Sequence, residues 1–64
     1  MNPRVLRCTL LEAERILSDN IWQDLREALA SGTLVIRNQY QIDCRFSRTS
    51  TISFSNGAKL IVDH

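Results

Sequence analysis

Few residues in this chain could do covalent or metal chemistry: Cys8, Cys44, Asp63 and His64, the acid pairs Glu12/Glu14 and Asp24/Glu27, and the hydroxyls between Ser47 and Ser53. A zinc centre draws its ligands at short, characteristic spacings, and the intervals separating the cysteines from Asp63-His64 match none of them. A nucleophilic cysteine needs a neighbouring base or cation to hold its thiolate. The single histidine, His64, is far along the chain from both cysteines. Both are therefore expected to be reduced, buried thiols. One Cys8–Cys44 bridge is the alternative, though a lone bridge is sparse for a secreted mini-protein.

General acid–base catalysis needs a positioned histidine or two carboxylates in different environments. Glu12 and Glu14, two apart on a helix, diverge. Asp24 and Glu27 share a helix face, but with no histidine or lysine beside them they read as its solvated side. The two glycines, Gly32 and Gly57, are used up as a helix stop and a hairpin turn, so no loop is left to cradle a phosphate. The chain is expected to be no enzyme, with no cofactor and no metal.

Recognition is the remaining class of chemistry. Seven of the eight cations are arginine, whose planar fork suits carboxylate, phosphate and interface contacts. Arg45, Arg48 and Lys59, with the hydroxyls of Ser47, Thr49, Ser50, Thr51 and Ser53, could meet phosphates from a sheet face. The net charge of +1 speaks against a strongly basic nucleic-acid binder. A second nucleic-acid reading places a helix-turn-helix before a β wing. Its recognition helix, Ile21 to Glu27, would bring Asp24 and Glu27 toward the duplex against Arg26 alone.

Trp22 lies about 100° around the helix from Ile21. It sits at the margin of an apolar stripe, as core cover or interface anchor. Leu29, Val35 and Ile61 join it as candidate interface residues, with Leu6 as a further member of an uncovered sheet face.

The elements that position these residues are legible in part. Pro3 discourages helix before it, and Arg4 to Cys8 read as a short extended segment. Thr9 and Glu12 have capping-box spacing. Leu10, Ala13, Leu17, Ile21, Leu25 and Ala28 then recur at threes and fours, predicting a helix to about Ala30 with Gly32 as its left-handed stop. Ser18-Asp19-Asn20 competes with it, so one bent helix or two broken ones are open, and the unbroken stripe favours one.

Beyond Gly32 the period becomes two. Thr33–Arg37, Tyr40–Phe46, Thr51–Ser55 and Ala58–Val62 read as strands, with Tyr40, Ile42, Cys44 and Phe46 facing inward. Ser55-Asn56-Gly57 is preferred as a three-residue hairpin loop, pairing Ile52 with Leu60 and Phe54 with Ala58. The expected fold is α+β: one long or broken N-terminal helix packed on a four-stranded antiparallel β-meander, residues 1–64 forming a single domain.

At 64 residues such a domain buries only about 60% of its unfolded surface. Without a metal or several disulfides, a partner subunit is the most available stabiliser. Composition is that of an ordinary globular protein, 44% apolar and 23% charged. No apolar run is long enough to span a bilayer. Residues 1–32 carry four arginines against five acids, and residues 33–64 four cations against two acids.

The expectation is a small cytoplasmic regulator or accessory protein, of the kind bacteria or phages encode. It would act by protein binding as a homodimer and on an unidentified larger protein. A nucleic-acid-binding regulator is the alternative.

Overall fold

The computed structural model describes residues 4–46 and 48–64; Pro3 and Ser47, both used in the sequence reading, lie outside them. The order of elements is β1 (Val5–Thr9), α1 (Leu10–Ile16), α2 (Asp19–Ser31), β2 (Leu34–Ile36), β3 (Tyr40–Asp43), β4 (Thr49–Phe54) and β5 (Lys59–Asp63). The strands form one five-stranded sheet in the order β1-β5-β4-β3-β2, with β1 parallel to β5 and every other pair antiparallel.

This corrects the expected long helix on a four-stranded antiparallel meander at both ends. The extended segment before the helix joins the sheet as a fifth strand. It lies beside β5, the last strand, whose outer edge would otherwise be open. The helix divides because Leu17 (ψ 147°) and Ser18 (ψ 158°) are both extended. The apolar stripe survives the division: Leu17 and Ile21, on either side of it, both pack against the core. Periodicity reports which residues are buried, and it does not detect a break that keeps them so.

Local signals hold elsewhere. The Thr9 hydroxyl accepts from the Glu12 amide at 3.2 Å while the Glu12 carboxylate accepts from the Thr9 amide at 3.0 Å, a complete capping box. Gly32 closes α2 at φ 63°, a conformation costly for any residue with a Cβ. In the β4–β5 hairpin Ile52 faces Leu60, and the Phe54 amide donates to the Ala58 carbonyl. Gly57, at φ 92°, closes a turn by donating to the Phe54 carbonyl.

Both helices lie on one face of the sheet, α1 over β1 and β5, α2 over β2 and β3. Ala13, Leu25 and Ala28 from the helices meet Ile42, Cys44, Ile52, Leu60 and Val62 from the sheet. Cross-strand register sorts the rest. Val35 faces Ile42 and Leu6 faces Leu60, so both belong to the helical side and not to the uncovered face expected for them. Phe46, expected inside, is exposed, because β3 ends at Asp43 before the alternation reaches it. The bare face carries Val5 and Arg7, Lys59 and Ile61, Thr49, Thr51 and Ser53, Gln41 and Asp43, and Leu34 and Ile36. Among the described residues no helix is long and apolar enough to cross a membrane.

Candidate functional site

Three clusters of polar or reactive side chains emerge, and the sheet register explains each. The first runs from the core, at Ser50 and Cys44, to the surface, where His64 is exposed. Ser50 and Ile52 alternate inward along β4, as Leu60 and Val62 do along β5, and His64 continues the second series. Fully buried Ser50 touches the Cys44 sulfur at 3.1 Å and His64 Nε2 at 2.6 Å. A buried hydroxyl without a partner costs about 1–3 kcal/mol, so these contacts answer a structural need. They also resemble a serine–histidine dyad, but Ser50 has no exposed surface for a substrate to reach.

Burial pushes the Cys44 thiol up from its usual range, and the Ser50 hydrogen bond only partly offsets it. Cys8 is likewise raised, by burial first and then by the charges of Glu12 and Asp63. Both cysteines are free. In the row Cys8–Val62–Ser50–Cys44 they stand three strands apart, roughly 14 Å at the usual strand spacing, which rules out a bridge between them. Among the described residues no group of three or more His, Cys, Asp or Glu side chains is placed to hold a metal.

The second cluster clips α2 to the β2–β3 hairpin. Arg37 grips Asp24 with two hydrogen bonds of 2.9 Å, and the Tyr40 hydroxyl donates to the same carboxylate at 2.5 Å. Arg37 and then Tyr40 hold the Asp24 carboxyl down to about 2. Asp24 is thus a tied, largely buried group, whereas Glu27 remains exposed as expected. A signal was available in the sequence: Asp24 lies one turn from both Ile21 and Ala28, on the flank of the buried stripe.

The third cluster is the β1 edge. Among the described residues the large exposed apolar side chains are Val5, Leu6, Leu11, Ile16, Ile36 and Phe46, and the first four belong to β1 and α1. Leu6, Ile16, Leu17, Phe54, Ala58 and Leu60 line a cavity of ≈ 190 Å³ beside this edge. On the bare face Arg7 binds Asp63 of β5 through two hydrogen bonds of 2.9 Å. A polar cleft of ≈ 360 Å³ between the start of α2 and the hairpin turns, lined by Asn20, Gln39, Tyr40 and Asn56 among others, brings no nucleophile and base together.

The candidates read from sequence scatter over these regions. Trp22, Leu29 and Val35 are half-buried and pack against the core from the helical side, while Ile61 lies on the opposite, bare face. They do not form one surface. Of the cations, Arg45 is bound by Asp43 at 2.9 and 3.0 Å, and Arg48 and Lys59 are exposed. Lys59 pairs with Ser53, while Arg48 precedes the far end of β4, so these two stand roughly 17 Å apart at about 3.3 Å per residue. Ser50 points into the core, away from Thr49, Thr51 and Ser53 on the bare face. The β1 edge escaped the sequence reading because its exposure depends on which strand it joins.

No protein-family model, no curated protein and no solved structure matches this chain.

Proposed function

We propose that this chain is a small, non-catalytic regulatory or accessory protein that works by binding protein, in the first instance a second copy of itself, through the β1 edge and its apolar flank. One observation carries this reading: Leu6 and Ile16, each more than half exposed, line one cavity beside an open strand edge whose other face bears exposed Val5. Exposed apolar groups scattered singly need no explanation, whereas a cluster marks a contact surface. An open edge is a template for pairing with another chain. Burial of that cluster also offers a domain of this size the partner stabilisation it otherwise lacks.

The nucleic-acid alternative draws on the bare face, where Thr49, Thr51 and Ser53 form a hydroxyl column. It is weakened by Arg7, Arg37 and Arg45, each already bound to a carboxylate. The helix-turn-helix form is weaker still, since α2 is laid along the sheet by Leu25 and Ala28.

Sedimentation tests the reading. The wild-type chain is expected to be dimeric at about 100 μM, with a thermal midpoint that rises with concentration. Leu6→Asp is expected to be monomeric with its circular dichroism retained, while Ile36→Asp at the opposite edge leaves the mass unchanged. A wild-type monomer with a concentration-independent midpoint would overturn self-association.

A further inference from the structure

The hydrogen-bond register of β1 narrows how a second copy can bind. The Lys59 amide donates to the Arg4 carbonyl at 2.8 Å, and Val5, Arg7 and Thr9 stand opposite Lys59, Ile61 and Asp63. In a parallel ladder each residue directs its amide and carbonyl to the same side, and alternate residues to opposite sides. Arg4, Leu6 and Cys8 therefore bond to β5, and Val5 and Arg7 present both groups outward. Thr9 also faces outward, but its amide is already taken by the Glu12 carboxylate at 3.0 Å.

We propose that two copies pair antiparallel, β1 against β1, about a twofold axis at Leu6, so that Val5 of each exchanges backbone hydrogen bonds with Arg7 of the other and the two sheets become continuous. This deepens the protein-binding reading and rests on it. Two neighbouring twofold registers fail on the chemistry of the same residues. Centring on Arg7 matches Val5 with Thr9, whose amide is occupied by the Glu12 carboxylate. Centring on Val5 matches Arg7 with Pro3, which has no amide to donate. Only the Leu6 register uses all the outward groups of Val5 and Arg7.

Side chains agree with this register. Leu6, 56% exposed, meets its own copy in a non-hydrogen-bonded pair, the closer of the two antiparallel pair types. Ile16, 60% exposed, lies beside it on the same cavity, so each copy's Leu6 and Ile16 cover the other's. On the bare face Val5 lies against the aliphatic stem of the opposing Arg7, whose charged end is held away by Asp63. Arg4 at one end of the strand comes opposite Cys8, next to the Glu12 that caps the other end. That carboxylate stays charged, because the Thr9 amide and hydroxyl hold its pKa down.

Single cysteines introduced in a Cys8→Ser background, mildly oxidised and followed by intact mass, test the register, with sedimentation run in parallel. Leu6→Cys is expected to form a covalent dimer in most of the sample, and Val5→Cys and Arg7→Cys little or none. In the unmodified chain, exchange of the Val5 and Arg7 amides is expected to slow by roughly tenfold or more on passing from dilute to dimeric solution. A dimer that cross-links through Val5→Cys or Arg7→Cys and not Leu6→Cys would overturn this register and leave the protein-binding reading standing. So would a dimer whose Val5 and Arg7 amides exchange at the monomer's rate. A chain monomeric at about 100 μM would overturn both.

Discussion

β2 ends the sheet after three residues and β1 after five, and the side chains around them differ as much as the lengths. Around β2 the thirteen-residue α2 buries Leu25 and Ala28, and Arg37 and Tyr40 both reach back to Asp24. Around β1 the seven-residue α1 buries only Ala13 and leaves Leu11 and Ile16 exposed. A short edge tied down by charged side chains is a usual protection against pairing with other chains. The longer β1 edge has a charged tie only on its bare face, Arg7 to Asp63, and on the helical face Leu6 and Ile16 stay exposed. One flank thus finishes the fold, and the other leaves apolar surface over for contact with a second molecule.

The largest effect expected from this contrast is on stability. Leu25→Ala, in the fully buried side of α2, should destabilise by about 2–5 kcal/mol, the usual cost of a large-to-small change in a core. Leu11→Ala, on the exposed side of α1, should cost under about 0.5 kcal/mol. Urea unfolding at fixed protein concentration compares them. Equal losses would mean that α1 is as integral to the fold as α2.

Trp22 sharpens the comparison, because it packs against the core from α2 and not from the β1 end. Trp22→Ala is expected to lower stability by about 2 kcal/mol, somewhat less than a fully buried aromatic, and to leave the sedimentation mass unchanged. A mass that falls to the monomer's would move the interface to the α2 flank. Gly57→Val concerns the hairpin between the flanks. At φ 92° a β-branched residue is strained, and a loss of more than about 1 kcal/mol is expected. Lys59→Thr, on the bare face nearby, should be close to neutral in unfolding experiments.

What could be read from sequence follows the range of the interactions concerned. Thr9 and Glu12 meet three residues apart, Gly32 answers to its own helix, and the Ile52–Leu60 register is set by the loop between them. Each of these is local, and each was legible. The pairing of Val5 with Lys59 joins the two ends of the chain, and nothing in Arg4 to Cys8 distinguishes a strand that joins the sheet from one that does not. Ser50 and His64 were missed although parity with Ile52 and Val62 placed both on the inner face. Polar residues in an alternating pattern are easily read as solvated. The Asp24 clip was missed for a related reason: it needs the hairpin folded back on α2, which helix periodicity alone does not specify.

The smallest expected effect separates the two flanks by pH. Arg37, with Tyr40 second, holds the Asp24 carboxyl at about 2 in the folded chain, against about 3.9 for an ordinary aspartate in the unfolded one. Between those values the unfolded state binds more protons, so the stability from this ion pair is fully present above about pH 4 and is lost as pH falls through about 2. Arg37 is half exposed, so solvent and salt reduce the amplitude below the full linkage value. Asp63 is also held down, by Arg7, but that pair is more exposed than the Asp24 clip. Urea midpoints at about pH 5, 3 and 2 should therefore show the wild-type advantage over Asp24→Asn shrinking with acid, and a smaller change for Asp63→Asn. If the Asp24→Asn difference held constant across that range, the clip would be acting through packing and neutral hydrogen bonds. The closed flank would then owe its closure to shape and not to charge.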